Sequence, residues 1–186
     1  MVVHRVSVVG NSGSGKSTLA VALADTLGAS HLELDSVFHL PDWEPLDREI
    51  FRERVEEFTQ APTWVVDGNY RAVRDIVWSR ADTVVWLDLP RRLVMRQLLR
   101  RTLRRMATGA ELWNGNRERW RYLFKLDPEE SILLWAWTKH YEYRERYLAA
   151  MTDPANSHLK FVRLRSRKES AELLAALQPS EPRLAD

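Results

Sequence analysis

The sequence predicts an α/β fold of three layers, with a five-stranded parallel sheet covered by helices on both faces and a helical insertion late in the chain. Three observations predict it. Short β-branched runs alternate with segments of helical spacing from end to end. Two of these runs, Thr63–Gly68 and Asp82–Pro90, have wholly apolar cores, as strands buried on both faces require. A glycine-rich turn, Gly10 to Ser17, joins the first run to the first helix.

Taken in order, Arg5–Gly10 reads as the first strand, and the helix after Gly15 repeats its apolar residues at Leu19, Ala22, Leu23 and Leu27 before stopping at Gly28. Ser30–Leu34 reads as a second strand. Asp35 opens an irregular piece whose prolines at 41 and 45 break periodicity. Asp47 suits an N-cap, and the helix behind it buries Phe51, Val55 and Phe58. The strand at Thr63–Gly68, the helix around 72–80 and the strand at Asp82–Pro90 follow. Next come a long arginine-rich helix, a loop at Thr108–Asn116 and helical sequence to Met151. A fifth strand, Leu159–Leu164, and a closing helix complete the set, so residues 1–177 form one expected domain, with 91–150 as an arginine-rich lid and insertion. The patternless tail at 178–186 is expected to be flexible.

Composition narrows the class. With 186 residues and 45% hydrophobic side chains, the chain can bury a real core. It has no cysteine, so disulfides and cysteine-ligated zinc are excluded, and a cytoplasmic location is expected. The first ten residues are interrupted by His4 and Arg5, which does not suit a leader, and no apolar run approaches a membrane span. The net charge of +2 is unevenly spread: residues 1–90 carry 8 basic and 14 acidic side chains, a net of −6, leaving +8 for the rest. Residues 91–125 alone hold 11 basic groups against Glu111 and Glu118, which predicts an anionic partner.

The turn supplies that partner. Gly10, Gly15, Lys16 and Ser17 satisfy G-x-x-x-x-G-K-[ST] between a strand and a helix, the context in which backbone N–H groups converge on phosphate oxygens. The expected triphosphate cradle is Gly10, Asn11, Ser12, Gly13, Ser14, Gly15, Lys16, Ser17 and Thr18. Lys16 would reach the β- and γ-phosphates, and the Ser17 hydroxyl would face Mg²⁺. A dinucleotide turn is excluded because Thr18 stands where its third glycine or alanine is needed. No N-K-x-D guanine reader is present, and neither Asp67-Gly68 nor Asp88-Leu89 gives the acidic pair of a motor ATPase. A small-molecule kinase using ATP remains.

The motifs "GNSGSGKSTLA", "HLELD", "WVVDGNY" and "ADTVVWLDLPRR", in this order, resemble the P-loop nucleoside and nucleotide kinases. More narrowly, they resemble the adenylate-kinase-related bacterial proteins of the DNA topology modulation type, and "WVVDGNYR" looks like the D-G-x-x-R element of adenylate kinase. The resemblance covers residues 4–170 in outline and is strong up to Arg105. It implies a P-loop kinase fold and lid arginines that clamp phosphates, here Arg100, Arg101, Arg104 and Arg105, with Arg100 and Arg104 as the catalytic pair. By the same analogy, Arg167 flanks the adenine face. Two features depart from the pattern: no arginine lies between Asp35 and Arg48, and the insertion is unlike an ordinary lid.

Individual residues carry competing readings. Asp35, past the second strand, can receive an acceptor's proton or only cap a turn. Asp67, ending a buried strand, can orient Mg²⁺-bound water or terminate the strand. Arg71 can hold an acceptor anion bidentately or pair with Asp75. Trp43 can stack on an acceptor or pack in the core. The arginine helix can be a lid or a solvated basic face. The expectation is thus an ATP- and Mg²⁺-dependent kinase, monomeric or homodimeric, acting on a small acceptor such as a nucleoside monophosphate or related metabolite. Its rivals are a regulatory ATP-binding module and, least favoured, a nucleic-acid contact.

Overall fold

A computed structural model of the chain describes residues 3–117 and 132–178. The middle of the expected insertion, 118–131, and the expected flexible tail, from 179, lie outside the described residues.

Five strands, β1 (Arg5–Gly10), β2 (Ser30–Glu33), β3 (Trp64–Asp67), β4 (Thr83–Leu87) and β5 (Lys160–Leu164), form one sheet in the order β2-β3-β1-β4-β5. Every pairing is parallel. The first strand is therefore central, with its neighbours reached by crossovers running in opposite directions. This places a ligand-binding crevice at the carboxyl edge, where the loop after β1 lies.

Side chains of β1 alternate between two cores. Val6 and Val8 pack with Leu19, Ala20 and Leu23 of α1 (Lys16–Leu27), alongside Leu173 and Leu174 of α7 (Arg167–Leu177). On the other face, Val9, Trp64, Val66 and Trp86 pack with Phe51 and Val55 of α3 (Arg48–Phe58), Val73 and Val77 of α4 (Arg71–Arg80) and Tyr143 and Tyr147 of α6 (Ile132–Thr152). The three-layer α/β arrangement is the one the alternating runs predict. As expected, Asp47 caps α3, its carboxylate accepting from the N–H groups of Glu49 and Ile50.

The segment after β2 differs from its expected form. The strand ends at Glu33, and Asp35 sits on a short helix, α2 (Leu34–Phe38), instead of in irregular chain. The cause is packing: Leu34 turns inward, is 2% exposed and lies against Gly68, where a Cβ would come within 2.8 Å of the Leu34 side chain. The Ser36 hydroxyl donates back to the Glu33 carbonyl, 2.7 Å away, which tightens the turn. Between β4 and β5 run α5 (Arg91–Thr108), closed by Gly109 at φ 61°, then a tight turn at 111–117, and α6.

Candidate functional site

The loop from Gly10 to Gly15 is held on three sides. Asn69, just after β3, both accepts from the Gly10 N–H and donates to the Gly10 carbonyl, while Tyr147 of α6 donates to the same Asn69 oxygen at 2.9 Å. Asn11 is buried; its amide donates to the Ala136 carbonyl on α6 at 2.8 Å, and its oxygen accepts from the Ser12 N–H. Gly13, at φ 82°, presses on α5 so closely that a Cβ would lie 2.7 Å from Leu98 Cβ and 3.0 Å from the Val94 carbonyl. Gly15, at φ 91°, ends the loop, and Lys16 begins α1 with no acidic residue in its first turn. The loop thus leads into the N-terminus of α1, with Lys16 as its first residue, and that arrangement favours anions.

Beside Lys16 lies an oxygen-rich group. The hydroxyl of Ser17 donates to Glu33 Oε1 at 2.9 Å and stands 3.4 Å from Asp67 Oδ1. Asp67 is fully buried, and its other oxygen is 3.2 Å from His31 Nε2. Glu33 and Asp67 are partners in the β2–β3 register, so their side chains leave the same edge on the same face. Sequence reading found Ser17 and Asp67 but missed Glu33. Its available signal was its position at the end of a strand parallel to the one ending in Asp67. No cluster of three or more His, Cys, Asp or Glu residues is placed for a metal among the described residues. A hydroxyl flanked by two carboxylates still suits Mg²⁺, because that ion keeps waters and takes substrate phosphates instead of requiring a full protein cage.

On the far side of Glu33 is an aromatic chamber. Tyr70 donates its hydroxyl hydrogen to Asp35 Oδ1 at 2.7 Å, and His39 Nε2 is 3.3 Å from the same phenol oxygen. Burial, reinforced by the Asp35 charge, pushes the Tyr70 hydroxyl far above its ordinary range, so it remains a donor. Burial also lowers His39, against the opposing pull of Asp35, which favours the neutral imidazole near neutral pH. His39 stacks on Trp113 at 6.1 Å and meets Trp43 edge-on at 5.3 Å.

Two opposed turns build this chamber. Residues 39–45 close through a His39–Pro45 bridge, with Trp43 at φ 64°; residues 111–117 close through a Glu111–Arg117 bridge. Buried Asn116 joins them, accepting from the Trp43 N–H at 2.9 Å and donating to the Leu40 carbonyl at 2.8 Å. Asn114 adds donation to the carbonyls of Ser36 and His39. Trp43 therefore belongs to a half-buried aromatic wall and not to the core. His39, Tyr70 and Trp113 were not among the residues the sequence singled out for the site.

Several expected positions are exposed. Arg71 is exposed at the start of α4, and Asp75, its suggested partner, instead pairs bidentately with Arg52 at 2.8–2.9 Å. Arg100 and Arg104 are exposed on α5, because Val94, Leu98, Thr102 and Met106 form its buried face. The structure does not bring those two to the loop. Arg101, one position on, reaches Ser12 Oγ at 3.5 Å. Arg167 is exposed at the first turn of α7, and Thr18 is exposed on α1.

The chain has the α/β fold of the P-loop kinases. Over 95% of its length it superposes on 97% of the Bacteroides thetaiotaomicron shikimate kinase, with a TM-score of 0.55 and 16% identity. It also covers 90% of an Acinetobacter baumannii shikimate kinase in complex with shikimate, over 94% of its own length, with a TM-score of 0.53 and 18% identity. In sequence it is 28% identical over 134 residues, 70% of each chain, to the uncharacterized protein YqaC of Bacillus subtilis (strain 168). No family model matches the chain.

Proposed function

We propose that this protein is a kinase that moves the γ-phosphoryl group of ATP to a hydroxyl group of a small acceptor. The observation that carries the reading is the alignment, along one sheet edge, of the Gly10–Ser17 loop, the Ser17–Glu33–Asp67 oxygens and the Asp35–Tyr70 pair beneath an aromatic wall. The fold shared with shikimate kinases supports the class.

In this reading the loop N–H groups and Lys16 hold the triphosphate. Ser17, Glu33 and Asp67 would hold Mg²⁺, which when bound neutralises phosphate charge. Asp35 accepts the proton of the attacking hydroxyl, and the Tyr70 donor keeps its carboxylate oriented for that task. Among the described residues, Arg101, beside Ser12, is the arginine placed to stabilise charge on the transferring group. Trp43, Trp113 and His39 exclude water, so transfer outruns hydrolysis.

A hydroxyl acceptor is favoured over a phosphate acceptor because the chamber presents Asp35 and aromatic rings, while Arg71 is directed to solvent. A nucleoside monophosphate is accordingly the less favoured substrate, and the adenylate-kinase-like subtype with it. The test is phosphorus NMR on the protein with MgATP and a panel of small polyols, hydroxy acids, amino alcohols, nucleosides and nucleotides. A new phosphomonoester resonance with one hydroxyl compound supports the proposal; transfer only to nucleotides overturns the acceptor class, and ADP formation with none of them leaves only an ATPase.

A second reading has its own observation. Arg92, Arg96, Arg100 and Arg104 are exposed at four-residue steps along α5, forming a basic stripe on the side away from the site. An ATP-binding regulator that contacts nucleic acid would use such a stripe. DNA affinity that falls steeply with salt, and that is lost on reversing Arg100 and Arg104, would favour it.

A further inference from the structure

One side chain of the late insertion reaches the triphosphate side of the crevice. The indole N–H of Trp113 donates to Glu33 Oε2 at 2.8 Å, while the other oxygen, Oε1, accepts from Ser17 Oγ at 2.9 Å. Glu33 lies at the end of the edge strand β2, and its two oxygens join segments 80 and 16 residues away.

We propose that Trp113 is a positioning residue for the metal side of the nucleotide site, acting through Glu33, and that it thereby ties the acceptor chamber to the loaded nucleotide. The proposal rests on the kinase reading above.

Three physical points carry it. A glutamate at a strand end has three side-chain torsions and loses entropy when one carboxylate direction must be held. A second hydrogen bond fixed by a rigid donor removes that freedom in advance. The donor is rigid here: the 111–117 turn is closed by the Leu112 N–H to the Asn116 carbonyl at 2.7 Å, Asn116 and Asn114 anchor it to 36–43, and the ring packs against both His39 and Trp43. The donor is also neutral. Lysine or arginine there would orient Glu33 equally well but would repel a divalent cation a few ångströms away; an indole N–H orients the carboxylate without that penalty.

The same ring is a wall of the chamber above Asp35. Whatever draws Glu33 toward the nucleotide site therefore shifts, or is resisted by, the ring that an acceptor must touch. Linkage requires the effect to be mutual: metal and nucleotide stabilise the turn, and an ordered turn tightens metal binding.

Calorimetric Mg²⁺ titration of ATP binding tests this on wild type, Trp113→Phe, Glu33→Gln and the double variant. Phenylalanine keeps the ring and removes the N–H. The expected result is a rise of about tenfold in the Mg²⁺ concentration for half-saturation in Trp113→Phe, with ATP affinity in excess EDTA unchanged. The double variant should be no worse than Glu33→Gln alone, because Trp113 acts through Glu33. Unchanged Mg²⁺ dependence in Trp113→Phe, or effects that add in the double variant, would overturn the proposal and leave the kinase reading standing. Wild type that binds ATP with no Mg²⁺ dependence would overturn both. Should Trp113→Phe fail to fold, the wild-type Trp113 indole ¹H–¹⁵N resonance decides: it must move with Mg²⁺ at saturating ATP, and a resonance that stays still sinks the idea.

Discussion

At the scale of single residues, the loop's demands are sharp enough to predict. Lys16→Ala removes a charged donor to phosphate oxygens, a bond worth about 1.5–3 kcal/mol, so ATP affinity measured by calorimetry should fall roughly 10- to 100-fold. Gly13→Ala combines a positive φ with a Cβ 2.7 Å from Leu98 and should cost about 1–3 kcal/mol, read as a lowered unfolding midpoint in urea. Two histidines set a pH dependence. Burial lowers both His39 and His140, the latter lying 3.4 Å from the Asn11 amide nitrogen. Below the ordinary histidine value of about 6.5, the unfolded chain binds protons that the folded chain refuses, so stability rises with pH there and falls as acid is added. Between pH 7 and 5 the thermal midpoint should drop, and His39→Gln with His140→Gln should flatten that drop; an unchanged slope would contradict the assignment.

Among the elements, the two opposed turns at 39–45 and 111–117 matter most, since they build the proposed acceptor chamber from residues far apart in the chain. Asn116→Ala would strand the half-buried Trp43 N–H and Leu40 carbonyl and should cost about 1 kcal/mol by chemical denaturation. The strands and helices were legible because their apolar periodicity is dictated by burial: Val6 and Val8 face one core, Val9 the other. The turns were not, because Trp43 and Asn114 hold positive φ only through contacts between segments more than 70 residues apart. The same limit explains the arginine helix. Four-residue spacing reveals a stripe of Arg92, Arg96, Arg100 and Arg104, but only the packing of Val94 and Leu98 on β-sheet and loop decides that this stripe faces solvent while Arg101 faces Ser12.

For the whole molecule, the sheet order places everything. The loop after β1 and the ends of β2 and β3 come to one edge, so the meeting of Ser17 and Asp67 there was readable from local motif and strand ends. Glu33 escaped notice because only the β2–β3 register sets it beside Asp67, and Trp113 because its partner is 80 residues away. In the proposed kinase, one carboxylate, Asp35, serves transfer to an acceptor hydroxyl in a site that binds ATP independently of it. The most direct measurement compares wild type and Asp35→Asn for transfer of labelled γ-phosphate from ATP into a small-molecule cell extract, alongside ATP affinity. The expected result is a labelled phosphomonoester with wild type, a loss of at least roughly 100-fold in its formation with Asp35→Asn, in line with general base catalysis, and ATP affinity within about twofold. Equal transfer by both proteins, or no labelled product from wild type that binds ATP, would contradict it.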